Sequence, residues 1–173
     1  MLKWRELPPA VRAVSLHESG HATTAELLGW KVRSLELHAD GGGVCWLSGA
    51  PPAPWVDLVV SAAGHAAEMH YRGRVRGGGS WTDRAEAAAV VEQTGVEAWE
   101  CPEAVLELEE RLWPVLELDS VRQAIVRVSR ELARMRCLTR RMFVALAEPA
   151  LNDETRREVR RFCRRTVLEV VER

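Results

Sequence analysis

Apolar residues recur with a helical period along most of this chain. From Ala10 to Gly29, Val11, Val14, Leu16, Ala22, Ala25 and Leu28 form a broad stripe that predicts one helix of about five turns. Pro8 and Pro9 stand where a first turn tolerates proline, and Gly29 is the expected stop. The pattern then changes. Residues 31–37 alternate loosely, "ADGGG" at 39–43 is a turn, and "VCWLSG" at 44–49 is a second short strand, so a β-hairpin is expected. "APPAP" breaks the chain, and helical periodicity resumes over 55–73, where Ala62, Ala63, Gly64, Ala66 and Ala67 permit close packing on another helix. "RVRGGGS" at 74–80 is too glycine-rich for regular structure. A third helix is expected over 81–95, and a short one from Cys101 to about Trp113, stopped by Pro114. Val121, Ile125, Val128, Leu132 and Met135 mark an amphipathic helix over 119–135. Another covers 139–148, and Asn152 or Asp153 caps a last one that runs to the end. No repeat and no long linker interrupts the pattern. The expected fold is mainly α with a small β-hairpin or sheet, an α+β class: one domain over 1–150, with an amphipathic helix over 151–173 packed on or extending it.

Composition narrows the classes. The chain has 173 residues, 47% apolar and 28% charged, with a formal net charge of −1. Those values suit one soluble globular domain and give no electrostatic reason to expect nucleic acid as a partner. Arginine far outnumbers lysine, and most arginines alternate with glutamates along helices. The Arg-rich last helix therefore reads as a solvated face, with Val159, Phe162, Val167 and Val170 as an alternative docking stripe for a partner or a second copy. Cys45, Cys101, Cys137 and Cys163 form no C-x-x-C pair, so a thiolate metal site has no support, and free thiols in a reducing cytoplasm are expected. The first ten residues have no apolar core of a secretory signal, and no apolar run reaches the ~18 residues of a membrane span.

The chemistry is concentrated in "LHESGHA", 16–22. His17 and His21 are four residues apart and share one helix face, so both imidazoles can reach one ion. Glu18 is turned by roughly 100° from His17, beside such an ion rather than on it, where a carboxylate can move protons. A surface helix with two satisfied histidines is the bland alternative, but this motif lies in an otherwise apolar stretch, where polar groups need partners. A catalytic zinc wants three protein ligands and an open position. The metzincin pattern needs a further histidine six residues after His21, and Leu27 stands there. His38, His65 and His70 follow no familiar third-ligand spacing. Asp83 and Glu68 are the candidates, with Asp40 and Asp57 behind them. Asp83 also fits a capping box opened by Ser80.

Three blocks, in order, resemble the peptidase domain of the FtsH-type AAA+ zinc metalloproteases: "SLHESGHATTAELL", "GGGVCWLSG" and "VVSAAGHAAEMHYRGRVRGGGSWTDRAEAA". The similarity extends over about residues 10–147. It implies a zincin-type helical metallopeptidase holding one catalytic Zn²⁺ on His17, His21 and Asp83, with Glu18 as the general base and Glu68 as a supporting residue. The strand Val44, Cys45, Trp46 and Leu47 takes the place of the family's substrate-binding edge strand. His65 replaces the family's usual Arg, losing an ion pair or gaining a spare ligand, and "SWTD" puts Trp81 near the site. Trp46 and Trp81 otherwise serve packing. No G-x-x-x-x-G-K-[ST] phosphate loop occurs in the 173 residues. The expected activity is therefore an ATP-independent, stand-alone metalloendopeptidase acting on protein or peptide substrates, compatible with a separate unfoldase or a homo-oligomer. The alternative is a zinc-stabilised interaction module that has lost proteolysis.

Overall fold

The computed structural model describes residues 4–72, 81–93, 97 and 100–171. The side chains of 72 and 81 are outside that description, as is Ser80, so the expected capping box and the placing of Trp81 fall outside the described residues. After a short 3₁₀ turn at Trp4–Glu6, α1 (Pro9–Leu28) runs through the middle of the molecule. Every residue from Ser15 to Leu28 is buried, including the whole His-Glu-x-x-His motif. Such burial on all faces requires neighbours all round, and α1 packs on α2 (Pro54–Arg72), α6 (Asp119–Met135), α8 (Asp153–Val171) and two strands. The contact with α2 is the tightest. A Cβ added at Gly20 would lie 2.6 Å from Ala67 Cβ and 2.7 Å from the Ala63 carbonyl, so the two backbones meet across small residues, as the run of alanines in α2 suggests.

The hairpin forms as β1 (Val32–Leu37) and β2 (Gly43–Leu47), antiparallel, with Leu35 opposite Cys45. A third strand was not expected. β3 (Cys137–Thr139) pairs antiparallel with β1, giving the order β2-β1-β3 and leaving β2 at an edge. It follows Arg136, which takes a left-handed conformation (φ 65°) and turns the chain out of α6. Three residues between two helices are too few to show a strand period.

The remaining helices are α3 (Trp81–Glu92), α4 (Cys101–Arg111), α5 (Trp113–Glu117) and α7 (Arg140–Ala147). Pro114 was expected only as a stop. It lies in the first turn of α5, where its missing N–H costs nothing. In α6 the stripe is buried through Leu132, but Met135 is 43% exposed. The last helix packs on α1, α2 and α4. In it Val159, Val167 and Val170 are buried and Phe162 is half-buried within the same chain, so the stripe set out as a docking alternative is taken up in internal packing. Two of its arginines are not merely solvated. Arg156 Nη1 donates to the Glu26 carbonyl, which also accepts from Gly29 N–H, and Arg160 Nη2 donates to that of Leu28, each arginine at 2.6 Å, so both side chains bond to carbonyls of the last turn of α1. Gly29 ends α1 with φ 88°, and a Cβ there would also lie 2.6 Å from Arg160 Nη2. Among the described residues, no helix is long and apolar enough to cross a membrane.

Candidate metal centre

One helical turn of α1 brings His17 and His21 side by side, with both Nε2 atoms facing each other at 3.0 Å. The first turn of α3 adds Asp83, whose Oδ2 lies 2.8 Å from His17 Nε2 and 3.6 Å from His21 Nε2. Ligands of a tetrahedral zinc, held at about 2.0–2.1 Å, lie about 3.3 Å from one another. The three donor atoms thus span the edges of a face of the right size.

The surroundings fix which atoms are free to bind. His21 Nδ1–H donates to the Val60 carbonyl of α2 at 2.6 Å, leaving Nε2 with its lone pair. His17 Nδ1 is buried and faces Glu68 Oε2 at 3.6 Å, longer than a hydrogen bond, which again turns Nε2 toward Asp83. Two lone pairs and a carboxylate pointed at one another repel unless positive charge lies among them. The pKa values express this. Burial works to lower that of His17, but Asp83, Glu68 and Glu18 outweigh it and carry His17 up to about 10. For Asp83, burial works upward, yet His17 and His21 hold the carboxyl well below the usual carboxylate range. A site that grips a proton so firmly favours any cation. The residues present therefore fit a divalent metal, with three protein ligands and nitrogen and oxygen donors suited to zinc.

Glu18 is 5% exposed. Burial raises its pKa, against the opposing pull of His21 and His17. It sits under β2: a Cβ at Gly43 would come within 2.9 Å of Glu18 Oε1. The motif opens into a cleft of about 450 Å³ between α1, β2, α2 and α3. A larger concavity of about 680 Å³ lies elsewhere, between α8 and the start of α2, and contains none of these residues.

Val44, Cys45 and Leu47 line the cleft, whereas Trp46 is 51% exposed and does not line it. Trp46 is therefore not a core packing residue. Glu68 borders the cleft beside His17. His65 is not among the converging donors. Its Nδ1 donates to Glu109 Oε2 at 2.7 Å, so it is no spare ligand. Arg84 also donates to both oxygens of Glu109. Asp57 borders the cleft and Asp40 accepts from Gly42 N–H in the β-turn, and neither joins the cluster.

Two contributors escaped the sequence reading, and a third, Gly64, was read there only as one of several small residues that permit close packing. The Val60 carbonyl orients His21. Gly64, in the middle of α2, leaves room for the His21 ring, since a Cβ there would fall 2.2 Å from Nε2. Glu109 holds Arg84. A glycine inside an otherwise helix-forming run was the one available signal, and it shows that something lies close without saying what.

A family model described as Peptidase M50B-like matches residues 6–67. No curated protein matches the chain. The matched stretch covers about a third of the chain and includes His17, Glu18, His21 and β2, but stops short of Glu68 and Asp83. The similarity is to a metallopeptidase family and not specifically to the FtsH-type enzymes.

Proposed function

We propose that this chain is a zinc-dependent endopeptidase, close in plan to the FtsH-type peptidase domain. The observation that carries the reading is the convergence of His17 Nε2, His21 Nε2 and Asp83 Oδ2 within 3.6 Å, with a buried glutamate beside them. In this reading His17, His21 and Asp83 hold the ion. Zinc there supplies a Lewis acid that polarises the scissile carbonyl and makes water more acidic.

The chain's own residues do the rest. Glu18 accepts the proton of the attacking water as the new C–O bond forms. It then delivers that proton to the amine nitrogen as the C–N bond breaks. A carboxylate whose pKa is raised by burial is a stronger base toward the water proton than an exposed one. His21 keeps its tautomer through the hydrogen bond to Val60, and the Glu68 carboxylate near His17 Nδ1 favours a proton there by its charge. The free edge of β2 pairs with an extended substrate, and Val44, Cys45 and Leu47 meet its side chains. An extended substrate implies flexible protein segments, or segments delivered by an unfoldase.

Casein digestion tests the reading. Glu18→Gln retains zinc and loses cleavage by about 10²–10⁴-fold, the usual worth of a positioned general base. Undiminished cleavage by that variant overturns the assignment. Zinc binding with no cleavage by the wild-type chain marks an interaction module instead.

A further inference from the structure

The helix that carries Asp83 is thinly anchored by apolar packing. Of its described side chains only Ala87 and Val91 are buried. The residue after Asp83 supplies a different hold. Arg84 Nε donates to Glu109 Oε1 at 2.8 Å and its Nη2 donates to Oε2 at 2.7 Å. Glu109, on α4, is 4% exposed and also accepts from His65 of α2 at 2.7 Å. One buried cluster therefore ties α3 to α4 and to the same helix that presents Val60 to His21 and Glu68 to His17.

We infer that Glu109 is a positioning residue for the metal centre: through Arg84 it sets the first turn of α3 and so holds Asp83 within reach of His17 and His21. The inference rests on the proposed metal site. A bidentate guanidinium–carboxylate pair fixes both separation and plane, which a single hydrogen bond does not. Glutamine at 109 keeps the size but offers one acceptor and turns an NH₂ toward a guanidinium, so the clamp opens on one side.

Zinc affinity, measured on the full chain by competition with a chromophoric chelator, is the readout, with the melting midpoint of the zinc-free chain followed alongside. Glu109→Gln and Arg84→Gln each weaken zinc about 10- to 100-fold, the range for partners that orient ligands. Two further measurements separate positioning from general loosening. The triple substitution His65→Leu, Arg84→Met and Glu109→Leu replaces the whole polar cluster by apolar volume and recovers the midpoint, but leaves zinc weak. In an Asp83→Ala background, where His17 and His21 retain weaker binding, Glu109→Gln produces no further loss. The inference is overturned by tight wild-type binding that Glu109→Gln leaves unchanged, by affinity that returns in step with the midpoint, or by an equal loss without Asp83. A wild-type chain that binds no zinc is a different result, and it removes the metal reading together with this one.

Discussion

At position 64 a single methyl group would occupy the space of the His21 ring. The clash is between the α2 backbone and an imidazole already fixed at its other nitrogen by Val60, so neither side can yield cheaply. Gly64→Ala is expected to weaken zinc at least tenfold and to cost about 1–3 kcal/mol of stability, the usual penalty of overpacking. Metal titration and urea unfolding measure the two effects, and an alanine variant with wild-type values in both would show that the helices are less closely apposed. The contrast with the motif itself explains what could be read beforehand. His17, Glu18 and His21 were legible because the helical period alone brings residues four apart together. Asp83 is 66 positions from His17, and no local pattern joins them, so a resemblance had to supply it. Gly64, Val60 and Glu109 act through whichever element packs opposite, which periodicity does not reveal.

Elements with long periodic runs were legible, and short or context-dependent ones were not. α1, α2, α6 and the hairpin lie where the apolar pattern put them, within a residue or two. β3 was hidden by its length, and the role of α8 by its composition, since an Arg-rich helix looks solvated until the carbonyls of the last turn of α1 are found beneath it. That contact gives a prediction. Arg160→Ala removes the donor to the Leu28 carbonyl and is expected to cost about 1 kcal/mol in urea unfolding. Gly29 would then have one neighbour fewer, so Gly29→Ala should cost less in the Arg160→Ala background than alone.

The α3–α4 junction carries a pH dependence. Burial works to raise the pKa of Glu109, but Arg84 and His65 outweigh it and hold the carboxyl below its ordinary value of 4.5. The folded pKa is the lower one, so this stabilisation is complete above the ordinary value and is lost as pH falls through the folded value. The difference in unfolding free energy between wild type and Glu109→Gln should therefore be largest near neutrality and shrink on acidification below about pH 4.5. A difference independent of pH would mean that Glu109 is not ionised in the fold.

For the whole molecule, the α+β class followed from pattern, whereas the central place of the motif helix and the closing of the site by three separate helices did not. α1 is buried from Ser15 onward, and its polar motif lines the cleft beneath β2. An interior that holds two histidines and two carboxylates together needs a counter-charge, and this requirement links fold and proposed activity. The most direct test is the zinc content of the purified chain by plasma mass spectrometry, compared with that of Asp83→Ala. One zinc per wild-type chain, with little or none retained by Asp83→Ala after dialysis, is the expected result. A wild-type chain free of metal in zinc-replete buffer, or a variant that keeps a full equivalent, would contradict the account.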